Sequence, residues 1–169
     1  MPVTGPHALA HFLIWLEASP LGVFTRGLGV WSYGIINLVH ILGIMMLFGS
    51  ILLLDLRLLG LWRTVPLAAL SRPVIPLAIT GFIVAVASGV PMLAVKAGDY
   101  ADNPFLLIKF PAIFLALVNI WLVHRSAAWR AHRARDLDRR ERRQLAFGAS
   151  ASLALWLTVI TSGRMIGYW

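Results

Sequence analysis

The chain has 169 residues, 59% hydrophobic and 13% charged, with a formal net charge of +8 at neutral pH. A soluble domain holds about 45–50% apolar residues. The excess here falls in long runs, with a mean hydropathy of +0.80, which points to a membrane protein and away from the soluble enzyme classes. Without cysteine there are no disulfides, thiolate zinc sites, iron–sulfur clusters or thiol catalysis. Basic residues gathered between apolar runs read as topology determinants, so no nucleic-acid partner is expected.

In chain order, the first 25 residues carry no Lys or Arg, so the positive region of a cleavable leader is missing and the start is expected to be retained. The run His7–Ala18 is too short to span a bilayer and is interrupted by His11 and Glu17. It reads as an interfacial helix, started at Thr4-Gly5-Pro6 and stopped at Ser19-Pro20. Ala8, Phe12, Trp15 and Leu16 would form its apolar face, with His7 and His11 four residues apart beside it.

Four stretches reach the roughly 20 apolar residues that a spanning helix needs: Leu28–Leu54, Val74–Val95, Pro104–Val123 and Leu145–Gly163. With their polar ends the helices cover residues 28–56, 74–96, 104–124 and 145–165. Pro76 falls in the first turn of span two and Pro104 opens span three, as proline suits a first turn. Span one exceeds the usual thickness and must tilt or protrude. Residues 124–143 read as a charged continuation of span three, a solvated anchor in which Asp136, Asp138 and Glu141 pair with arginines three and four residues away. The expected fold is all-α: a single integral membrane domain over residues 1–169, a four-helix bundle with a short N-terminal interfacial helix.

Arg57, Arg63 and Arg72 follow span one, and eight arginines from Arg125 to Arg143 follow span three. The opposite side has Arg26 and Lys96, with Lys109 and Arg164 near it. The positive-inside rule puts the arginine-rich loops in the cytoplasm and both termini outside, in the periplasm of a bacterial inner membrane. Trp31, Tyr33, Tyr168 and Trp169 would form an aromatic belt on the outer side.

Polar side chains inside a span cost a few kcal/mol each, which makes them the place to look for function. Asn37 and His40 share a face of span one, and Gly43 continues it, leaving room beside the imidazole for a flat group or a neighbouring backbone. Lys109, Ala112, Ala116 and Asn119 make a narrow stripe on span three that must face the bundle. From the helical rise, His40 lies about 12–18 Å below the outer boundary and Lys109 roughly 8 Å below it. Asp55 is expected to pair with Arg57 or another inner arginine. His40 is expected to contact Asn37, a polar group of span three or four, or a bound ligand. An outer-half pocket built from His40, Asn37, Lys109, Arg164 and Asn119 would suit haem b or a quinone, with His40 as axial ligand or proton partner. Bis-His ligation by His40 and His124 is disfavoured, because the two differ by some 10–15 Å in depth. Copper is the alternative, with His40, Met92 and Met165 as ligands and His7 and His11 nearby.

At Val39-His40-Ile41-Leu42-Gly43, Gly49-Ser50 and Asp55-Leu56-Arg57-Leu58-Leu59-Gly60 the chain resembles a family of uncharacterised bacterial inner-membrane proteins with four helices, known only as a domain of unknown function. Asn103-Pro104-Phe105 with Lys109, Asn119 with His124-Arg125, and Ser162-Gly163-Arg164 with Tyr168 extend the resemblance along nearly the whole chain. The chain is also distantly similar to copper-resistance D and cytochrome-b-type membrane domains, although it lacks the further transmembrane histidines of di-haem cytochromes. The resemblance implies a fold and candidate residues but no activity. The partners expected are the lipid bilayer and either other membrane subunits, for which the chain would be a non-catalytic accessory, or a periplasmic redox or metal partner. No nucleophile elbow, P-loop or zinc-protease helix is present to name a reaction.

Overall fold

The computed structural model describes residues 7–169, among which every regular element is a helix. The helices are α1 (His7–Ala18), α2 (Pro20–Gly27), α3 (Gly29–Leu59), α4 (Leu67–Ala94), α5 (Pro104–Arg125), α6 (Ala127–Ala131) and α7 (Arg139–Met165). Short 3-10 turns occupy Gly98–Tyr100 and Ile166–Tyr168. Four of these helices, α3, α4, α5 and α7, are long and apolar enough to cross a membrane. The start expected at Thr4-Gly5-Pro6 lies outside the described residues, as do the side chains of His7 and Ala8.

The long helices pack in the spatial order α4, α3, α7, α5. The α3–α4 seam is made close by small residues. A β-carbon at Gly43 would lie 2.8 Å from the Ala85 nitrogen, and one at Gly81 would lie 2.5 Å from the Leu47 nitrogen. Such backbone approach is how helices associate where apolar surface alone gives no preference over lipid. On α5, Ala112 and Ala116 are buried against Leu47, Trp156 and Val159, and Asn119 Nδ2 donates to the Gly148 carbonyl of α7 at 3.0 Å. The expected stripe on span three therefore does face the bundle. Large apolar side chains such as Val30, Ile83, Phe114 and Phe147 point outward, where lipid suits them.

Several boundaries differ from expectation, each for a local reason. Ser19-Pro20 ends α1 but also starts α2: Ser19 accepts from Gly22 N and Pro20 takes the first helical position. The α1 face that packs on the protein is Ala10, Leu13 and Leu16, set against Ala94, Ala97, Ala101 and Leu106. Phe12 and Trp15 face outward and touch each other at 5.9 Å between ring centres. Helix α4 begins at Leu67, well before Val74, because Leu67 and Ser71 are buried at its foot. Pro73 and Pro76 thus lie inside the helix. Beyond Arg125 the charged segment does not continue span three. Helix α5 ends at Arg125, Ser126 caps α6 by accepting from Trp129 N, and Asp138 with Glu141 forms a capping box that starts α7 at Arg139. Glu141 pairs with Arg135 at 2.7 Å, six residues away rather than three or four.

Helix α1 and the C-terminal turn with Ile166 pack together at one end of the long helices, here called the terminal end, and the arginine-rich segments lie at the other. At the terminal end α1 and α2 are tied to α4. Arg26 donates to the carbonyls of Ala94 and Val95, the C-terminal carbonyls that a cation best satisfies. Glu17 Oε2 accepts from Gly98 N at 2.7 Å.

Candidate functional site

His40 faces α4. Its Nδ1 lies 2.8 Å from the Ala85 carbonyl oxygen and 3.1 Å from Ser88 Oγ, and its ring rests where Gly89 has no side chain. A carbonyl can only accept, so Nδ1 carries the proton and the Nε2 lone pair is turned elsewhere. The expected partners, Asn37 or a polar group of span three or four, are replaced by span two. Gly43 admits the α4 backbone, the neighbouring backbone that was one of its two expected occupants, and the room for the ring itself comes from Gly89. Lys109 of α5 is near enough to act on the His40 charge. Its amine lies over Gly163 of α7. Arg164 is exposed and folds onto Tyr168, both over its ring at 4.7 Å and onto its hydroxyl. Met165 and His11 are exposed, and Met92 is half-buried. Among the described residues no three His, Cys, Asp or Glu side chains gather as a metal-holding group.

A cavity of about 240 Å³ lies nearer the arginine-rich end, lined by α3, α4, α5 and α7. It occupies the space where α4 and α5 stand apart, since α3 and α7 bridge them. Of the residues expected around His40, only Asn119 lines it; His40, Asn37, Lys109 and Arg164 do not. Its walls are apolar (Leu54, Ile75, Ile79, Phe82, Ile120 among them), and its polar groups are few. Asp55 is 6% exposed and Trp156 is 3% exposed. Among the described residues, Asp55 Oδ2 and Trp156 Nε1 have no hydrogen-bond partner. Ser152, one turn before Trp156, is near enough to act on the Asp55 carboxyl. The expected pairing of Asp55 with Arg57 is not made: Arg57 turns away to the Val65 carbonyl at 2.8 Å. An apolar cavity lined by one residue with an orphaned acceptor and another with an orphaned donor has the usual form of a small-molecule site.

Sequence reasoning missed Trp156 and Ser152. The signal for them is Gly148, Ser152 and Trp156 at four-residue spacing, which gives α7 one face that turns from small to polar to large.

Below the cavity a second group of side chains closes the arginine-rich end. His124 and His132 flank the Trp129 ring, with centroids 4.6 and 4.4 Å away. His132 is buried; its Nδ1 donates to the Trp129 carbonyl and its Nε2 lies 3.1 Å from Ser71 Oγ. Burial holds the His132 pKa below its ordinary value. The Trp129 carbonyl opposes that shift, and the charges of Arg133 and His124 reinforce it. The ring is therefore neutral at pH 7, with the Ser71 hydroxyl donating to Nε2. This residue, too, lay hidden in a segment that composition marks as solvated.

A family model described as "Family of unknown function (DUF6644)" matches residues 12–169. No curated protein and no solved structure matches the chain, so the comparisons do not extend the resemblance to copper-resistance D or cytochrome-b-type domains.

Proposed function

Since the chain belongs to DUF6644, a family of unknown function, we propose a function from its own geometry: a multi-pass protein of the bacterial inner membrane that binds a small lipophilic ring compound of the quinone class between α4 and α5. The observation that carries this reading is the apolar cavity lined by Asp55 and Trp156, whose buried Oδ2 and Nε1 are left unpartnered. A quinone-type ring offers a carbonyl to accept from the indole N–H and, when reduced, a hydroxyl to donate to the carboxyl. Its tail would lie in lipid between the two separated helices. At about 240 Å³ the cavity is below the roughly 300–1,000 Å³ of sites for drug-sized ligands; a single ring suits it and a haem macrocycle does not. The arginine distribution supports termini in the periplasm and the cavity in the cytoplasmic half.

Solvent extraction of protein purified in mild detergent should recover a ring compound from the wild type and far less from Asp55→Leu and Trp156→Phe. A short-chain benzoquinone analogue should quench part of the tryptophan emission of wild-type protein and not that part in Trp156→Phe. Wild-type protein that carries no ring compound and ignores the analogue would overturn the reading.

A second reading is favoured by one observation. His40 has its Nδ1–H bonded to a backbone carbonyl, the arrangement that orients an imidazole ligand and leaves Nε2 to a metal or a proton. A haem Soret band, or bound copper, that disappears in His40→Ala while the Asp55 variants retain it would support this reading over the first.

A further inference from the structure

A second cavity, of about 1050 Å³, opens at the arginine-rich end between the turn after α3, the foot of α4, the segment after α6 and the start of α7. Seven arginines and one aspartate line it. One of the seven, Arg135, is neutralised by two bonds to Glu141. Three others are held in a distinctive way. Arg57 Nε donates to the Val65 carbonyl at 2.8 Å, Arg63 Nε to the Gly60 carbonyl at 3.2 Å, and Arg142 Nε to the Leu137 carbonyl at 2.8 Å. Each guanidinium is thus fixed through its inner nitrogen. Apart from one long bond of Arg57 Nη2 to the Arg63 carbonyl at 3.4 Å, their terminal nitrogens meet no carbonyl or carboxylate among the described residues. Arg142 and Arg63 are near enough to act on the Arg57 charge, so like charges are gathered and, among the described residues, none of the three is paired with a carboxylate.

We propose that Arg57, Arg63 and Arg142 form a preorganised basin for a phosphate group, either the phosphodiester of an anionic lipid headgroup or a free phosphate. Planar guanidiniums present paired N–H groups that match phosphate oxygens. Anchoring each at Nε removes much of the rotamer freedom that binding would otherwise cost. The basin sits at the ends of the long helices, at the depth of lipid headgroups, on the side where anionic lipid and basic loops meet. The proposal is independent of the quinone reading, because it uses none of the cavity residues around Asp55.

The test is a thermal melt of the full chain in neutral detergent with phosphatidylglycerol, phosphatidylcholine or inorganic pyrophosphate added. Phosphatidylglycerol, pyrophosphate or both should raise the midpoint, and phosphatidylcholine should do so far less. A response to phosphatidylglycerol alone assigns a lipid, and a response to pyrophosphate alone assigns a free phosphate. Arg142→Gln should raise the concentration needed by roughly tenfold, the weight of one charge-assisted bond. The triple change of Arg57, Arg63 and Arg142 to Gln should abolish the response, whereas Arg130→Gln, outside the basin, should leave it intact. If the triple variant does not fold, Arg142→Gln alone decides the matter. No response to either phosphate compound, an equal response to phosphatidylcholine, or a wild-type response in Arg142→Gln would overturn the proposal.

Discussion

Gly81 and Gly49 lie on adjoining helices and differ in what surrounds them. A methyl group at Gly81 would come within 2.9 Å of both the Leu47 nitrogen and the Gly43 carbonyl oxygen, which are backbone and cannot turn aside; at Gly49 it would meet nothing within 4 Å. Gly81→Ala should therefore cost about 1–3 kcal/mol by forcing α3 and α4 apart. Gly49→Ala should be neutral or gain about 0.5–1 kcal/mol from helix propensity. Thermal midpoints in detergent compare the two directly. His132 yields a prediction in pH. Its folded pKa is lowered from 6.5, so the unfolded chain binds a proton first as the solution is acidified. Its stability contribution is complete above pH 6.5 and is lost as pH falls from there toward the lower folded value. Melting curves at pH 7.5 and 5.5 should show a larger acid loss for wild type than for His132→Gln. Single residues were unequally legible in sequence. His40 stands out because an imidazole in an apolar run is expensive. His132, set among arginines, gives no such contrast, and only the fold of Ser126–Asp138 buries it.

At the scale of elements, α5 and α7 meet through the Ala112–Ala116–Asn119 stripe. Ala116 is fully buried, while its neighbour Leu115 is 51% exposed. Ala116→Leu should destabilise by about 1–3 kcal/mol through overpacking, and Leu115→Ala should change the melt little. The α7 capping box supplies a second comparison: Asp138→Ala should cost about 1 kcal/mol and fray the arginine-bearing first turns. Long apolar runs made all four long helices readable, but their ends were set by contacts that composition does not carry. The foot of α4 is helical because Leu67 is buried against Ala128, Trp129 and Leu145. The box at Asp138 and Glu141 was legible in principle; the surrounding arginines drew attention to ion pairing instead.

At the scale of the molecule, the cavity exists because two helices adjacent in sequence, α4 and α5, are held apart by α3 and α7. No local pattern announces that arrangement. Asp55 could be seen as polar, but its isolation from Arg57 follows from the turn that carries Val65. Orientation rests on charge asymmetry and is open to direct test. Reporter fusions after Arg63 and near Asp138 should read cytoplasmic and one near Asp99 periplasmic; the reverse would place the Asp55 cavity in the outer half. The tie between Arg26 and the end of α4 also imposes an order on biosynthesis. Its acceptors, the Ala94 and Val95 carbonyls, follow Arg26 by 68 and 69 residues, so the first two helices cannot dock until α4 has been synthesised and threaded. Nascent chains arrested before Ala94 should therefore leave Leu13 open to labelling or proteolysis nearby, and its protection should appear late, in one step, once α4 and the residues up to Leu106 that pack on it have emerged.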